Sequence, residues 1–263
     1  MIRFKMQFFG GRGASGGGKS GSGGSGGGAK AQQPVANTDS LGFKDYDDAD
    51  YHQLYNGKGY YQQQQLNDPS KAGLNQAIDT YIEAYPTPGS LYSPSQQLNH
   101  AMKTNQPLTK QQQQMRAELE GGMHNLGYNL TLTRYARNDY MENLSSIAGV
   151  KLDRFYNMKE SDLQTALVGK SFSEAGFIST SYNNFAKAPN GGRPFTDKTV
   201  KINYKAPAKT QALMPRIGAG GDLGEIILAP DQNYRIVGVR FTGKQGRSQA
   251  SYYNQIELDV EIF

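Results

Sequence analysis

The spacing of apolar and polar positions divides the chain into a helical part followed by a part with strand periodicity. Between residues 71 and 122 apolar side chains recur three and four positions apart, as on one face of a helix; Leu74, Ile78 and Tyr81 are examples. Ser93 before Pro94 predicts the start of a second helix, and Thr109 that of a third. We therefore expect three helices at the start of the folded part.

The period changes from about residue 129 onward. In NLTLTRY, Leu130, Leu132 and Arg134 alternate with threonines, which is typical of a half-buried strand. Further strands are predicted in GFISTS, TVKINYKA, EIILA, YRIVGVRF and QIELDVEIF. Helices first and strands afterwards predict an α+β domain.

The residues before this domain have a different composition. Residues 1–30 form a short stub and a flexible Gly/Ser-rich linker, whose natural or engineered origin stays open, and residues 31–70 are polar and at best weakly structured. Residues 13–20, GASGGGKS, match a phosphate-binding loop, but the glycine-rich sequence that follows is unsuited to the required helix. We therefore discount this match and assign the folded domain to residues 71–263.

Charge and residue usage exclude several classes of function. The net charge of +5 comes from five basic residues among the first 30, since the remaining 23 basic side chains match the 23 acidic ones. The folded part therefore gives no specific nucleic-acid signal. The absence of cysteine and the spacing of the three histidines predict no metal site. No apolar run is long enough for a membrane span and no signal peptide is recognised, so we expect a soluble protein that acts in a bacterial or host cytoplasm.

Three strand-associated segments carry candidate chemistry. Arg134 takes an inward position on its strand, which is costly unless the guanidinium meets an anion; an ordinary ion pair is the alternative. Ser179 and Ser181 alternate on one strand and so face one side, although Ser-Thr-Ser also occurs in ordinary edge strands. Glu225 follows a glycine-rich loop at the start of an apolar strand, where it is either a catalytic carboxylate or a solvated strand end.

The order and flanks of these segments resemble a known family. An arginine on a strand, then VGKSFSEAGFISTS, then GEIILAPDQNYRIVGV is similar to the R-S-E class of mono-ADP-ribosyltransferases, which includes the bacterial ADP-ribosylating exoenzyme toxins. The resemblance covers residues 71–263. It implies N-terminal helices followed by a split, mainly antiparallel β-sandwich, with NAD⁺ consumed as a substrate.

The resemblance also implies a role for each matched residue. Arg134 would hold the NAD⁺ phosphates, and Ser179 would position the nicotinamide side and orient the glutamate. Thr180 and Ser181, also assigned to NAD⁺ binding, would support the strand geometry. Glu225 would bind the 2′-hydroxyl of the nicotinamide ribose and stabilise an oxocarbenium-like transition state.

Two loops complete the expected site. Residues 184–198 occupy the place of the family's phosphate–nicotinamide loop, in which Arg193 would bind phosphate and Phe195 would stack on nicotinamide. On the acceptor side, Leu223 stands where relatives that modify arginine commonly have glutamate, and Asp222 precedes it. Leucine cannot orient or deprotonate a guanidinium, so arginine modification by the usual arrangement would need Asp222 to reach in from a shifted loop.

The sequence leaves three functional hypotheses. The first is a mono-ADP-ribosyltransferase that acts on a macromolecular acceptor, expected to be a protein. The second is an NAD⁺ glycohydrolase, which Leu223 keeps open. The third is a non-catalytic interaction or virion-associated module, since the stub and linker resemble layouts in phage-encoded transferases; Arg134, Ser179 and Glu225 together argue against it.

Overall fold

The computed structural model describes residues 68–82, 86, 89–136, 140–181, 200–213, 225–243 and 254–263. A 3₁₀ turn, Pro69–Lys71, comes first. The helices are α1 (Ala72–Ile82), α2 (Pro94–Thr104), α3 (Lys110–Gly122), α4 (Tyr140–Ala148), α5 (Leu152–Phe155) and α6 (Glu160–Leu167). The strands are β1 (His124–Asn125), β2 (Leu130–Ala136), β3 (Ser171–Glu174), β4 (Ile178–Ser181), β5 (Val200–Ala206), β6 (Gln211–Leu213), β7 (Glu225–Leu228), β8 (Gln232–Gly243) and β9 (Asn254–Ile262).

Helices α2 and α3 begin where the sequence predicts, and for the same reason. The Ser93 side chain accepts a hydrogen bond from the Gln96 backbone N–H, while the Gln96 side chain accepts one from Ser93 N–H at 2.8 Å. Thr109 and Gln112 repeat this capping box at the start of α3. Each box satisfies two backbone N–H groups that the first helical turn leaves without partners.

The sheet runs through nine strands in the order β1-β6-β7-β4-β2-β5-β9-β8-β3. Its pairs are antiparallel except β5 with β9. Within the described residues, β2 and β4 share the single register pair Thr133↔Ser181. That junction separates a half formed by β1, β6, β7 and β4 from a half formed by the other five strands. The α+β class with a mainly antiparallel sheet is confirmed.

Each half of the sheet has its own apolar core. One lies between the first half and α1–α3, and includes Tyr81, Leu98, Leu119, Phe177 and Ile227. The other lies mostly between the second half and α4–α6, and includes Leu132, Leu144, Leu163, Ile202 and Val260. The alternation read from the sequence is therefore a burial pattern: in β5, Val200, Ile202, Tyr204 and Ala206 are buried and the residues between them are less so.

The predicted separation of helices and strands is wrong in one respect. Helices α4, α5 and α6 lie between β2 and β3, so the helices do not all precede the strands. Their short lengths of nine, four and eight residues give apolar repeats of fewer than three turns, which are weak signals in a single sequence. The expected boundaries at residues 30 and 70 fall at or near undescribed residues and stay predictions.

Candidate functional site

The predicted motifs meet at the junction of the two halves of the sheet. Arg134 lies on β2 beside Thr133, which pairs with Ser181 on β4. Strand β4 in turn pairs with β7, so that Ser181 lies opposite Glu225 and Ser179 opposite Ile227. Three segments distant in the sequence therefore supply neighbouring strands at one place.

Ser179, Ser181 and Glu225 share one face of the sheet. Directly opposed residues of an antiparallel pair project to the same side, and residues two apart on a strand do so as well. The Ser179 hydroxyl acts on the carboxyl group of Glu225 in the direction that lowers its pKa. Ser181 is buried, whereas Ser179 and Glu225 remain partly exposed, which leaves them open to a ligand.

Arg134 reaches the backbone of β4 from the neighbouring strand, where it alternates with Thr133 and therefore starts from the opposite side of β2. Its side chain is only 5% exposed, and Nη1 donates a hydrogen bond to the Ser179 carbonyl oxygen at 3.2 Å. Its positive charge also acts on the carboxyl group of Glu225. The guanidinium, the serine and the glutamate expected from the sequence thus lie in one constellation.

The carboxyl group of Glu225 has a raised pKa. Burial is the main cause, because removing a carboxylate from water disfavours its charged form. The Ser179 hydroxyl and the charge of Arg134 act in the opposite direction but do not outweigh burial. A carboxylate kept in a poorly hydrated environment interacts strongly with any positive charge that develops beside it.

Thr180 faces the other side of β4. It opposes Ile226, and its hydroxyl donates a hydrogen bond to the Ile226 carbonyl oxygen at 2.7 Å. Thr180 therefore ties β4 to β7. Direct contact of Thr180 or Ser181 with NAD⁺ stays a prediction.

The helices supply two polar side chains behind the site that the sequence did not assign to it. The Tyr81 hydroxyl on α1 accepts a hydrogen bond from Asn99 Nδ2 on α2 at 2.9 Å and lies 3.5 Å from the Phe177 carbonyl oxygen, just before β4. Tyr81 occupies the apolar face of its helix. The only sequence signal for a further role is that a buried tyrosine hydroxyl needs a hydrogen-bond partner. Asn99 is fully buried, and nothing in the local sequence pattern marks it.

Several expected site residues lie outside the described residues. These are the loop 184–198 with Arg193 and Phe195, and the acceptor-side residues Asp222 and Leu223. Their assigned roles stay predictions.

Two further features bear on the class of site. Among the residues that the structure describes, no group of three or more His, Asp or Glu side chains is placed to hold a metal ion. None of the described helices is long and apolar enough to cross a membrane.

Comparisons with known proteins agree with this geometry. The family model described as ADP-ribosyltransferase exoenzyme matches residues 90–256. No curated protein compared with the chain matches it significantly.

Solved structures share the fold at low sequence identity. C3stau2 from S. aureus, solved with NAD, is 17% identical with a TM-score of 0.57, over 84% of this chain and 98% of that one. Plx2a, an ADP-ribosyltransferase toxin from Paenibacillus larvae, is 15% identical with a TM-score of 0.56, over 81% and 96% of the two chains. The C3 exoenzyme of Clostridium limosum is 15% identical with a TM-score of 0.53, over 84% and 97%.

The phage association is not addressed by these matches and stays a prediction. The family match spans more than half of the chain and includes Arg134, Ser179 and Glu225. The chain therefore belongs to the ADP-ribosyltransferase exoenzyme family, whose reaction is mono-ADP-ribosyl transfer from NAD⁺ to a macromolecular acceptor.

Proposed function

We propose that Arg134, Ser179 and Glu225 cleave the nicotinamide–ribose bond of NAD⁺ and that the ADP-ribose passes to a side chain of a protein. One observation carries this assignment. Glu225 lies on β7 directly opposite Ser181 of the strand that carries Ser179, and Arg134 donates a hydrogen bond to the Ser179 carbonyl oxygen at 3.2 Å, although the three residues belong to three distant segments of the chain.

Glu225 is suited to the bond-breaking step. When the C1′–N bond of NAD⁺ breaks, its electron pair leaves with nicotinamide and positive charge develops on the ribose. A carboxylate beside that ribose stabilises the charge most in the transition state, and partial burial strengthens the attraction. A hydrogen bond from the ribose 2′-hydroxyl to Glu225 would hold the sugar against it.

Arg134 and Ser179 have complementary tasks. The planar guanidinium of Arg134 is fitted to bind phosphate oxygens in a forked arrangement, and most of its stem is already buried. We expect Ser179 to donate to Glu225 and so to set the direction in which the carboxylate presents its oxygens. Arg193 and Phe195 would add a phosphate contact and a stacking surface for nicotinamide.

The class of acceptor side chain is inferred from Leu223, which lies two residues before Glu225 in the sequence. A leucine side chain offers no group that would orient or deprotonate a guanidinium. We therefore assign the acceptor to a protein side chain other than arginine, unless Asp222 takes over that task.

The test is incubation with NAD⁺ labelled in the adenylate part, in the presence of cell lysate. Nicotinamide release and label on protein are both measured for the wild type and for Glu225→Gln. We expect the wild type to release nicotinamide and to label protein, and we expect Glu225→Gln to bind NAD⁺ but to do neither. Nicotinamide release without labelling of protein would favour the NAD⁺ glycohydrolase that Leu223 keeps open. The proposal would be overturned if the wild type released no nicotinamide in lysates from several hosts.

A further inference from the structure

A cavity of about 220 Å³ lies between β3 and the C-terminal half of α2. Met102 and Leu108 supply apolar surface to it, while Arg116 on α3 and Asp231 on the turn before β8 supply charged groups. None of the described residues that line the cavity belongs to β2, β4 or β7, the strands of the candidate catalytic residues. The cavity is therefore separate from the place where NAD⁺ cleavage is proposed.

Strand β3 forms one wall of this cavity and is an edge strand. It comes last in the strand order of the described sheet, and its pairing partner there is β8. The Ile236 N–H donates to the Lys170 carbonyl oxygen at 2.9 Å, just before β3 begins. The Asp231 N–H donates to the Glu174 carbonyl oxygen at 2.7 Å, at the end of β3. The carbonyl groups of residues 170 and 174 therefore both point towards β8.

The backbone of Ser173 consequently faces the free edge. The N–H and carbonyl groups of successive residues in a strand point to opposite edges, so those of Ser171 and Ser173 point away from β8. Ser173 also lines the cavity, which places these backbone groups at the cavity wall. Unpaired backbone groups along an edge strand form a template for another extended chain. The sequence of β3, SFSE, contains neither lysine nor proline, the residues that commonly block such an edge.

The size of the cavity decides which kind of molecule fits. Pockets that enclose drug-sized ligands measure about 300–1,000 Å³, so this cavity is too small to enclose a nucleotide. A cavity of about 220 Å³ is suited instead to a single side chain that projects from a longer partner. Met102 is buried and Leu108 is half-buried, so an entering side chain meets apolar surface that includes an adaptable thioether.

The charged groups of the cavity favour polar residues on either side of this anchor side chain. The side chain of Arg116 is 39% exposed although it pairs with Glu120, and Asp231 is exposed. The guanidinium donates hydrogen bonds and the carboxylate accepts them. Together they offer partners to the small polar side chains and the backbone of a peptide.

We propose that the cavity and the free edge of β3 together form a docking site for an extended segment of a partner protein. The segment adds to β3 as a further strand, pairs with the backbone of Ser173 and inserts one apolar side chain against Met102 and Leu108. Because β3 has four residues, a short segment covers the whole edge. The proposal does not depend on NAD⁺ cleavage, since no candidate catalytic residue takes part in it.

The probe is a set of fluorescently labelled heptapeptides with threonine at every position except the central one. The central residue is leucine, methionine or aspartate, and binding to the full chain is measured by fluorescence polarisation. Amide NMR shifts of Ser171 and Ser173 locate the bound peptide. A second series carries N-methyl groups on alternate residues; because every second N–H of an added strand pairs with β3, one alternating set loses binding and the other keeps it.

Two variants test the two parts of the site. Ser173→Pro removes the N–H at the free edge and keeps the pairing with β8, since proline is tolerated where the N–H of an edge strand faces away from the sheet. Ala175→Leu adds a branched apolar side chain at the cavity wall. The matched control is Ser171→Ala, on the same strand but outside the cavity lining. Thermal unfolding checks that each variant is folded, and Ala175→Leu is read if Ser173→Pro is not.

We expect the leucine and methionine peptides to bind and the aspartate peptide to bind about tenfold more weakly or less, because its charge would enter apolar surface. Ser173→Pro should weaken binding by about threefold to tenfold, which corresponds to one hydrogen bond. Ala175→Leu should weaken it by about tenfold or more, and Ser171→Ala by less than about twofold.

Four results would overturn the inference. These are no binding of any peptide, equal binding of the aspartate and leucine peptides, wild-type affinity in every folded variant, and equal binding of the two N-methylated sets. A loss in Ser171→Ala as large as that in the other variants would overturn it as well, because the effect would then not belong to the cavity.

Discussion

The two halves of the sheet use charged groups in opposite ways. On the outer face of β5, β9 and β8, Glu257 receives hydrogen bonds or ion pairs from Asn203 at 2.8 Å, Lys201 at 2.9 Å and Arg240 at 2.9 Å. Burial raises the pKa of the Glu257 carboxyl group, but these partners outweigh it and hold the pKa below its usual value. In the other half, the burial of Glu225 outweighs its partners and its pKa is raised.

Ionisation of Glu257 therefore stabilises the fold, whereas ionisation of Glu225 destabilises it. A lowered carboxyl pKa means that the folded state favours the ion, and a raised pKa means that it disfavours the ion. A raised carboxyl pKa at a partly exposed position between strands is typical of a functional site. The same contrast predicts how much each of the following charged or buried groups contributes to stability.

The largest effect on stability is expected where two opposite charges are buried together. Lys103 Nζ and Glu174 Oε2 lie 2.8 Å apart, and both side chains are 1% exposed. Lys103→Met leaves an uncompensated buried carboxylate and should lower the free energy of unfolding by about 3–5 kcal/mol in denaturant titrations. The double variant with Glu174→Gln should recover most of this loss, and a loss below about 1 kcal/mol for the single variant would contradict the buried pair.

The next effect concerns the close approach of α2 to the turn before β4. A Cβ atom on Gly176 would lie 2.6 Å from Asn99 Oδ1 and 3.0 Å from Lys103 Cε. Gly176→Ala should therefore lower the free energy of unfolding by about 1–3 kcal/mol in denaturant titrations, because the added methyl group displaces Asn99 and Lys103. Gly121→Ala on α3 meets nothing within 4 Å and serves as the control, with stability equal to or above wild type.

A smaller effect, with a defined pH dependence, is expected at Glu257. Its folded pKa is below the unfolded value, so its contribution is present above the unfolded pKa and is lost as pH falls through the folded pKa. Glu257→Gln should cost about 1 kcal/mol at pH 7, and thermal unfolding of variant and wild type should converge on acidification. A difference that grows on acidification would contradict this assignment.

The smallest effect is expected at the exposed pair on α3. Arg116 Nε and Glu120 Oε1 are 2.7 Å apart, but both side chains are more than a third exposed. Arg116→Ala should change stability by about 0.5 kcal/mol or less, as measured by chemical denaturation. A change of several kcal/mol would contradict the expectation that exposed ion pairs contribute little to stability.

The sequence predicts local structure well where one residue's chemistry decides it. Ser93 and Thr109 start helices because their hydroxyls cap backbone N–H groups, and the alternation in β5 marks its buried side. The convergence of Arg134, Ser179 and Glu225 came from the family resemblance and not from spacing, because strand order is set by contacts between distant segments.

The parts that the sequence did not predict depend on such distant contacts. Tyr81 meets Asn99 and Phe177 only after α1, α2 and the turn before β4 have packed together. Glu174 alternates with Phe172 on the buried side of β3, which is a local sign that it needs a partner, but Lys103 as that partner follows only from the tertiary structure.

Glu225 is kept for chemistry and not for stability, and one variant tests this most directly. Glu225→Gln is assayed for nicotinamide release and for thermal unfolding between pH 4 and pH 8. Because the folded pKa is raised, ionisation of Glu225 weakens the fold as pH rises, whereas glutamine does not ionise. We predict an activity about 10³-fold below wild type, with thermal stability at pH 7 to 8 equal to or above wild type and a difference that vanishes toward pH 4. Retained activity, or activity lost together with stability at neutral pH, would contradict the claim.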